Sequence, residues 1–266
     1  MTRALNVAAT GMNSAQANVD IIAHNIANGN SFGYKEMRGV FHDLMYQDVI
    51  IAGSPTSGST QPHPAGLQFG LGSNIVATIH DFTQGALIPY SNDQWTMAID
   101  GPGLFEVTLT DGSTAYTRNG VMVVDSEGVL CSVLGHPFSP GITIPKDHTY
   151  LRVDTAGNVF SASTQAGLET AEKLGTLNLA MFVNFAGLRA VGDTLYSETE
   201  GSGPPTIGTA DSEGFGVVRQ RFIEDSNVNT IEAITNLIKA QRLFEFNSNA
   251  LQTVSEMLKR ETNITT

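Results

Sequence analysis

The sequence is poor in the groups that carry most protein chemistry. It holds a single cysteine, Cys131, which excludes an internal disulfide framework and a cysteine-rich metal site. Basic residues are scarce: 14 Lys and Arg stand against 26 Asp and Glu, a formal net charge of −12. So acidic a chain repels phosphate backbones and anionic membrane surfaces, so no nucleic-acid partner and no membrane insertion are expected. Charged residues make up 15% of the chain, below the usual ~25%, which leaves much uncharged surface for partners. No apolar run reaches the ~18 residues of a membrane helix. The nearest, Leu174 to Leu188, is broken by Gly175, Thr176, Asn178, Asn184 and Gly187. Near the start, Arg3 is followed by no continuous apolar stretch, because Asn6, Thr10, Asn13 and Ser14 interrupt it. No cleavable secretion signal is expected, and the sequon Asn263-Ile264-Thr265 is then chance.

Catalytic signals are equally thin. The histidines His24, His42, His63, His80, His136 and His148 form no His-x-x-x-His pair, so no metal site is assigned. Gly101-Pro102-Gly103 resembles the start of a dinucleotide loop, but position 106 is Glu and no long helical pattern follows. No phosphate-cradling loop and no nucleophile elbow occur. Asp125 with Glu127 and Asp193 with Glu198 read as solvated turn residues, and Arg118 and Arg189 as structural. No catalytic residue and no cofactor are assigned, and no enzyme is expected.

What the chain does have is periodicity at its ends. Leu5, Ala8, Met12, Ala15, Val19, Ile22 and Ile26 recur at alternating steps of three and four. Leu237, Ala240, Phe244, Asn247, Leu251, Val254 and Leu258 do the same. Both are heptad seams, with Asn247 a polar member able to fix register. Asn28-Gly29 supplies a stop for the first helix, Gly29 taking the left-handed position. Asn229 with Glu232 reads as the capping start of the second. Gly11, costly inside a helix, implies a close approach by another segment. The ends are also electrically distinct. Residues 1–47 and 226–266 each balance to zero, so the whole net charge of −12 lies between them. One helix against one partner is marginal, so these ends are expected to order fully only among several neighbours.

The middle reads as β structure. Phe105, Val107 and Leu109 alternate with Glu106, Thr108 and Thr110 ahead of an Asp111-Gly112 turn and Ala115-Tyr116-Thr117. Val121 to Val124 ends at Asp125 to Gly128; Leu151 to Val153 turns at Asp154 to Gly157 into Val159-Phe160. Leu177 to Leu179 and Met181 to Val183 complete the pattern. Val49 to His80 contains no charged residue and is rich in Gly, Ser, Thr and Pro, including Gly53-Ser54-Pro55 and Pro62-His63-Pro64. It reads either as a flexible linker or as an extended arm lying in a crowded interface. The expected fold is mixed: a discontinuous terminal α-helical coiled-coil domain (residues 1–35 with 226–266), an arm over 36–75, and an all-β outer domain over 76–225.

Several blocks resemble the bacterial flagellar axial proteins, the rod and hook subunits, nearly end to end. They include Asn25-Ile26-Ala27-Asn28 with Gly33-Tyr34-Lys35, and Ala98-Ile99-Asp100-Gly101-Pro102-Gly103-Leu104-Phe105. Tyr116-Thr117-Arg118-Asn119-Gly120, Gly192-Asp193-Thr194-Leu195-Tyr196 and Ser226-Asn227-Val228-Asn229 continue the match. Gln241-Arg242-Leu243-Phe244-Glu245-Phe246-Asn247-Ser248 is the most specific block. Phe244, Asn249 and Ser255 depart from the commoner Tyr, Lys and Asp of the family.

The resemblance implies a helical tube of identical subunits, with terminal helices around a channel, β domains outside, and torque passed along it. It implies as partners the chain itself, proximal rod and hook proteins at the ends, surrounding P-ring and L-ring proteins, and the type III export apparatus. It implies a rod spanning the periplasm within the basal body. The self-assembly residues would be Leu5, Met12, Val19, Ile22, Ile26, Asn28, Gly33, Leu237, Gln241, Phe244, Asn247, Leu251, Val254 and Leu258. A length of 266 residues argues against a hook subunit, and the uncharged arm around Asp48 to Leu67 favours the distal over the proximal rod. The alternatives from another class are a secreted carbohydrate-acting or carbohydrate-binding β module with oligomerising helices, and a soluble adhesin. The first would need an aromatic platform, and Trp95 is the only tryptophan.

Overall fold

A computed structural model describes residues 2–53, 65–91, 93–145, 150–164 and 171–264. The chain divides into two units. The first joins Met1–Ile26, Met37–Ile79 and Thr230–Thr266; the second joins Ala27–Glu36 and His80–Asn229. Charge follows the same division: six Lys and Arg against seven Asp and Glu in the first unit, eight against nineteen in the second.

The first unit is built on two helices, α1 (Thr2–Ala27) and α2 (Thr230–Ile264). At ~1.5 Å per residue, their 26 and 35 residues give lengths of roughly 39 and 52 Å. α2 begins directly after Asn229 and carries Glu232 in its first turn, where the capping pattern puts it. α1 stops at Ala27, but Gly29 is not the residue that turns left-handed there. Gly33 is, with φ +68°, and a Cβ on it would lie 2.5 Å from the Asn119 nitrogen. Close approach to another chain segment, and not helix termination, therefore demands glycine in this turn.

Between the helices in sequence lies a two-stranded ribbon of four strands: β1 (Met37–Asp43), β2 (Tyr46–Ile50), β3 (Leu67–Gly70) and β4 (Ser73–His80). β1 pairs with β4, and β2 runs antiparallel to β3 with Gln47 opposite Phe69 and Asp48 opposite Gln68. The uncharged stretch is thus a paired hairpin where it is described; Gly53-Ser54-Pro55 in part, and Pro62-His63-Pro64 wholly, lie outside the described residues. The ribbon follows α1. Asn25 clamps its start, donating from Nδ2 to the Met37 carbonyl (2.8 Å) and accepting from the Met37 N–H at Oδ1 (2.9 Å). Ser14 Oγ donates to the Ser73 carbonyl at 3.2 Å, and the Arg3 guanidinium lies 4.8 Å above the Phe69 ring.

The second unit holds fifteen strands among the described residues: β5 (Leu87–Pro89), β6 (Met97–Asp100), β7 (Leu104–Thr108), β8 (Thr114–Thr117), β9 (Met122–Val124), β10 (Leu130–Ser132), β11 (Tyr150–Val153), β12 (Asn158–Ala162), β13 (Glu172–Thr176), β14 (Asn178–Met181), β15 (Arg189–Gly192), β16 (Leu195–Ser197), β17 (Thr206–Thr209), β18 (Val217–Gln220) and β19 (Phe222–Glu224). Six form one antiparallel sheet in the order β15-β16-β8-β7-β14-β17. The hairpin β7–β8 closes at Asp111-Gly112, whose Asp111 carboxylate accepts from the Ser113 N–H and hydroxyl. β11, β12 and β13 make a second sheet, while β9–β10, β6–β18 and β5–β19 are separate pairs. The core runs through Met97, Ile99, Phe105, Val107, Met122, Leu130, Phe138, Leu177 and Leu179. A smaller cluster of Leu104, Tyr116, Ala180, Phe182, Leu188 and Tyr196 covers the other face of β7. Two details differ from the sequence pattern. Glu106 is buried, because it shares the face of β7 that carries Leu104, and the cluster with Tyr116 and Phe182 covers that face. Val183 is 95% exposed, because β14 ends at Met181 and the chain turns into a 3₁₀ segment at Phe185–Gly187.

Candidate assembly surface and a buried ion cluster

Within the first unit the two heptad seams face one another. Gly11 of α1 meets Asn247 of α2, whose amide nitrogen would lie 3.0 Å from a Cβ at position 11. Arg3, Ala4, Val7 and Ala8 share a groove with Asn247 and Ala250, and Gln16, Val19 and Asp20 share one with Gln241, Phe244 and Glu245. Rising numbers on α1 meet falling numbers on α2, so the pair is antiparallel. Ala8, Ala15, Ile22, Ala233 and Ala240 are buried. Of the residues expected to mediate assembly, Ile22 and Gly33 are buried and Gln241 is exposed. Leu5, Met12, Val19, Ile26, Asn28, Leu237, Phe244, Asn247, Leu251, Val254 and Leu258 are half-buried. Gly33 and Asn28 belong to the second unit.

The seam is only one face of α2. Ile231, Ile234 and Ile238 are exposed on a second face, and Leu243, Phe246 and Met257 on a third. At ~100° per residue the three faces stand roughly a third of a turn apart. The isoleucine face lies at the start of the helix and turns polar beyond it, at Arg242, Glu245, Gln252 and Glu256, so each outward face carries a local apolar patch of the kind that marks an interaction site. The ribbon adds to this surface, with Met45, Tyr46, Val49, Ile51 and Val76 exposed. Heptad counting finds the seam and misses the outward faces; the signal for them is the isoleucine triplet at steps of three and four ahead of the seam.

The second unit contains a cluster that sequence reading does not assemble. Glu224, on β19, is buried and shared by two buried cations. Lys35 Nζ donates to Glu224 Oε1 at 2.6 Å and to the Thr83 carbonyl at 2.8 Å. Arg118 Nε donates to Glu224 Oε2, its Nη1 to the Gly103 carbonyl, and its Nη2 to the carbonyls of Ile99 (2.9 Å) and Gly101 (2.7 Å). The Gly101-Pro102-Gly103 loop therefore wraps a guanidinium and presents carbonyls, the opposite polarity to a phosphate cradle. Burial lowers the Lys35 pKa, and the Glu224 charge opposes that shift. A small cavity beside the cluster, about 280 Å³, is lined by Phe82, Gln84, Pro102, Leu104 and Phe185. Trp95 packs partly against the core, and among the described residues no group of three or more His, Cys, Asp or Glu could hold a metal.

Burial also pushes the Tyr34 hydroxyl up to about 12, with the Glu36 charge adding to it, and raises that of Tyr196. The unfolded chain loses the Tyr34 proton near pH 10 and the folded chain only near pH 12. The stabilisation is thus complete below pH 10 and is lost as pH rises to 12. Tyr34→Phe is expected to shrink, not abolish, the fall in melting temperature between pH 9.5 and 11.5, since Tyr196 still titrates. Melting curves across that range check it; an unchanged slope would contradict the assignment.

Three family models match the chain. They are described as flagella basal body rod protein (residues 5–35), flagellar hook protein FlgE/F/G D1 domain (residues 98–161) and flagellar basal body rod FlgEFG protein C-terminal (residues 219–264). The flagellar basal-body rod protein FlgG of Agrobacterium fabrum is 41% identical over 96% of both chains. That of Borreliella burgdorferi is 39% identical over 99% of both. In Caulobacter vibrioides, FlgG is 37% identical over 97% of both chains, and the rod protein FlgF 26% identical over 97% of this chain and 95% of the relative.

Proposed function

We infer the function from one premise: the chain belongs to the flagellar basal-body rod protein family and is a structural subunit of the rod. We propose that it builds the distal rod, a self-assembling helical tube that carries torque from rotor to hook and encloses the export channel. The observation that carries this reading is the pair of outward apolar patches on α2, first Ile231, Ile234 and Ile238 and then Leu243, Phe246 and Met257, which the lone chain leaves exposed. Each outward face offers Ile, Leu, Phe or Met side chains, each worth about 1.5–3 kcal/mol on burial. Head-to-tail contacts that do not close give a filament. Seam residues such as Leu251, Val254 and Leu258 would contribute where copies meet, in coiled-coil fashion, and the exposed ribbon would lie against neighbours. The greater likeness to FlgG than to FlgF within one organism favours the distal over the proximal position.

In this reading the chain meets proximal rod proteins at one end and hook protein at the other, with P-ring and L-ring proteins around it. The rod spans the periplasm, and the subunit leaves through the type III export apparatus. The second unit carries the acidic excess and would face the rings. The experiment is to concentrate purified protein and image it. Filaments above a threshold concentration, with monomer below it, are expected. A chain that stays monomeric at every concentration would overturn the proposal.

A further inference from the structure

The three matched segments each contribute one member of the buried cluster. Lys35 closes the first, Arg118 lies in the second, and Glu224 in the third. The bonding around them ties together three segments that border passages of the chain out of the second unit: 33–36, 81–86 and 224–227. The Glu224 carbonyl accepts from the Gly33 N–H at 2.9 Å, and its Oε1 accepts from the Gly85 N–H at 3.0 Å as well as from Lys35. Three residues on, Asn227 Oδ1 accepts from the Glu36 N–H at 2.7 Å, and its Nδ2 donates to the Asp81 carbonyl at 2.8 Å. The Asp81 N–H donates to the Glu36 carbonyl and the Asp225 N–H to that of Ala86, both at 2.8 Å. No two of these segments can separate without breaking a bond to the third.

We propose that Glu224, seconded by Asn227, is a positioning residue for torque transmission: its carboxylate locks these three segments into one stiff body at the exits of the β-rich unit. The inference rests on the rod reading above. Force that enters this unit along the backbone enters through these segments, and a buried, charge-assisted clamp resists their shear. None of the three segments belongs to the six-stranded sheet, which closes through β7, β8 and β14.

The test uses the full-length chain carrying Glu224→Gln, and separately Asn227→Ala, which leaves no buried charge behind. In the monomer, amide exchange at Gly33, Glu36 and Gly85 is expected to quicken at least roughly tenfold in both variants, while in Asn227→Ala Val107 and Leu179 are unchanged. In filaments grown from the same variants, the persistence length is expected to fall severalfold at an unaltered threshold concentration. In Asn227→Ala, uniform quickening, or none, overturns the clamp. Local quickening with filaments of normal stiffness leaves a clamp but overturns its part in transmission. If the unmodified protein forms no filament, the rod reading fails, and the exchange pattern still decides whether the clamp exists.

Discussion

Phe246→Asp leaves a folded monomer that forms no filament at concentrations where the unmodified chain is wholly assembled. Phe246 is 67% exposed and belongs to the third face of α2, with Leu243 and Met257. Removing it from a subunit contact forfeits about 1.5–3 kcal/mol. Forcing an unpaired carboxylate into the same contact adds a desolvation penalty of about 3–5 kcal/mol. Since each 1.4 kcal/mol is about tenfold, the threshold concentration should rise by more than about a thousandfold. The melting transition of the β-rich unit should not move, since exposed substitutions lie within about 0.5 kcal/mol. Ile234→Asp probes the second face in the same way. Phe244 and Leu251 are poorer probes, because both lie on the seam face turned to α1, where Phe244 shares a groove with Gln16, Val19 and Asp20. A charge there disrupts the helix pair inside the chain as well as any contact outside it. Sedimentation and imaging at matched concentrations decide the matter. Normal filaments from Phe246→Asp would remove α2's third face from the assembly surface.

Much of this architecture is written locally, and that part is legible in the sequence. The 3-and-4 spacing of Leu5 to Ile26 and Leu237 to Leu258 marks two helices because helical faces repeat within one element. Asp111-Gly112, Asp125 to Gly128 and Asp154 to Gly157 mark hairpins because turn chemistry is set by two or three adjacent residues. The illegible part is what long-range packing decides. Glu106 follows an alternating pattern that promises a wet face, and only the cluster of Tyr116, Phe182 and Tyr196 packed over that face removes the water. Gly29 and Gly33 look interchangeable as helix stops until the Asn119 backbone is found against one of them. The ion cluster is furthest from view: Lys35 and Glu224 are 189 positions apart, and Arg118 and Glu224 106. The blocks that resemble the rod family contain Lys35 and Arg118 but not Glu224, so nothing in the sequence points to the carboxylate that joins them. The outward faces of α2 are hidden for another reason. Heptad counting ranks the seam first, whereas the residues left for partners are those the seam leaves over.

That asymmetry extends to the two cations of the cluster, which look equivalent and should not behave so. Arg118→Met is expected to destabilise the second unit by about 3–5 kcal/mol. The substitution strips Glu224 of one partner and leaves the carbonyls of Ile99, Gly101 and Gly103 without their donor, each costing about 1–3 kcal/mol if water cannot replace it. Lys35→Met should cost less, about 1–2 kcal/mol. Burial already works against the Lys35 charge, and Glu224 keeps Arg118 and the Gly85 N–H when the ammonium is gone. What remains is a one-to-one ion pair in place of two cations sharing one anion, and the methionine fills much of the same volume. Denaturant titration of both variants measures the difference, read on the β-rich unit alone. Lys35→Met proving the more damaging would mean that the ammonium, and not the guanidinium with its ring of carbonyls, organises this centre.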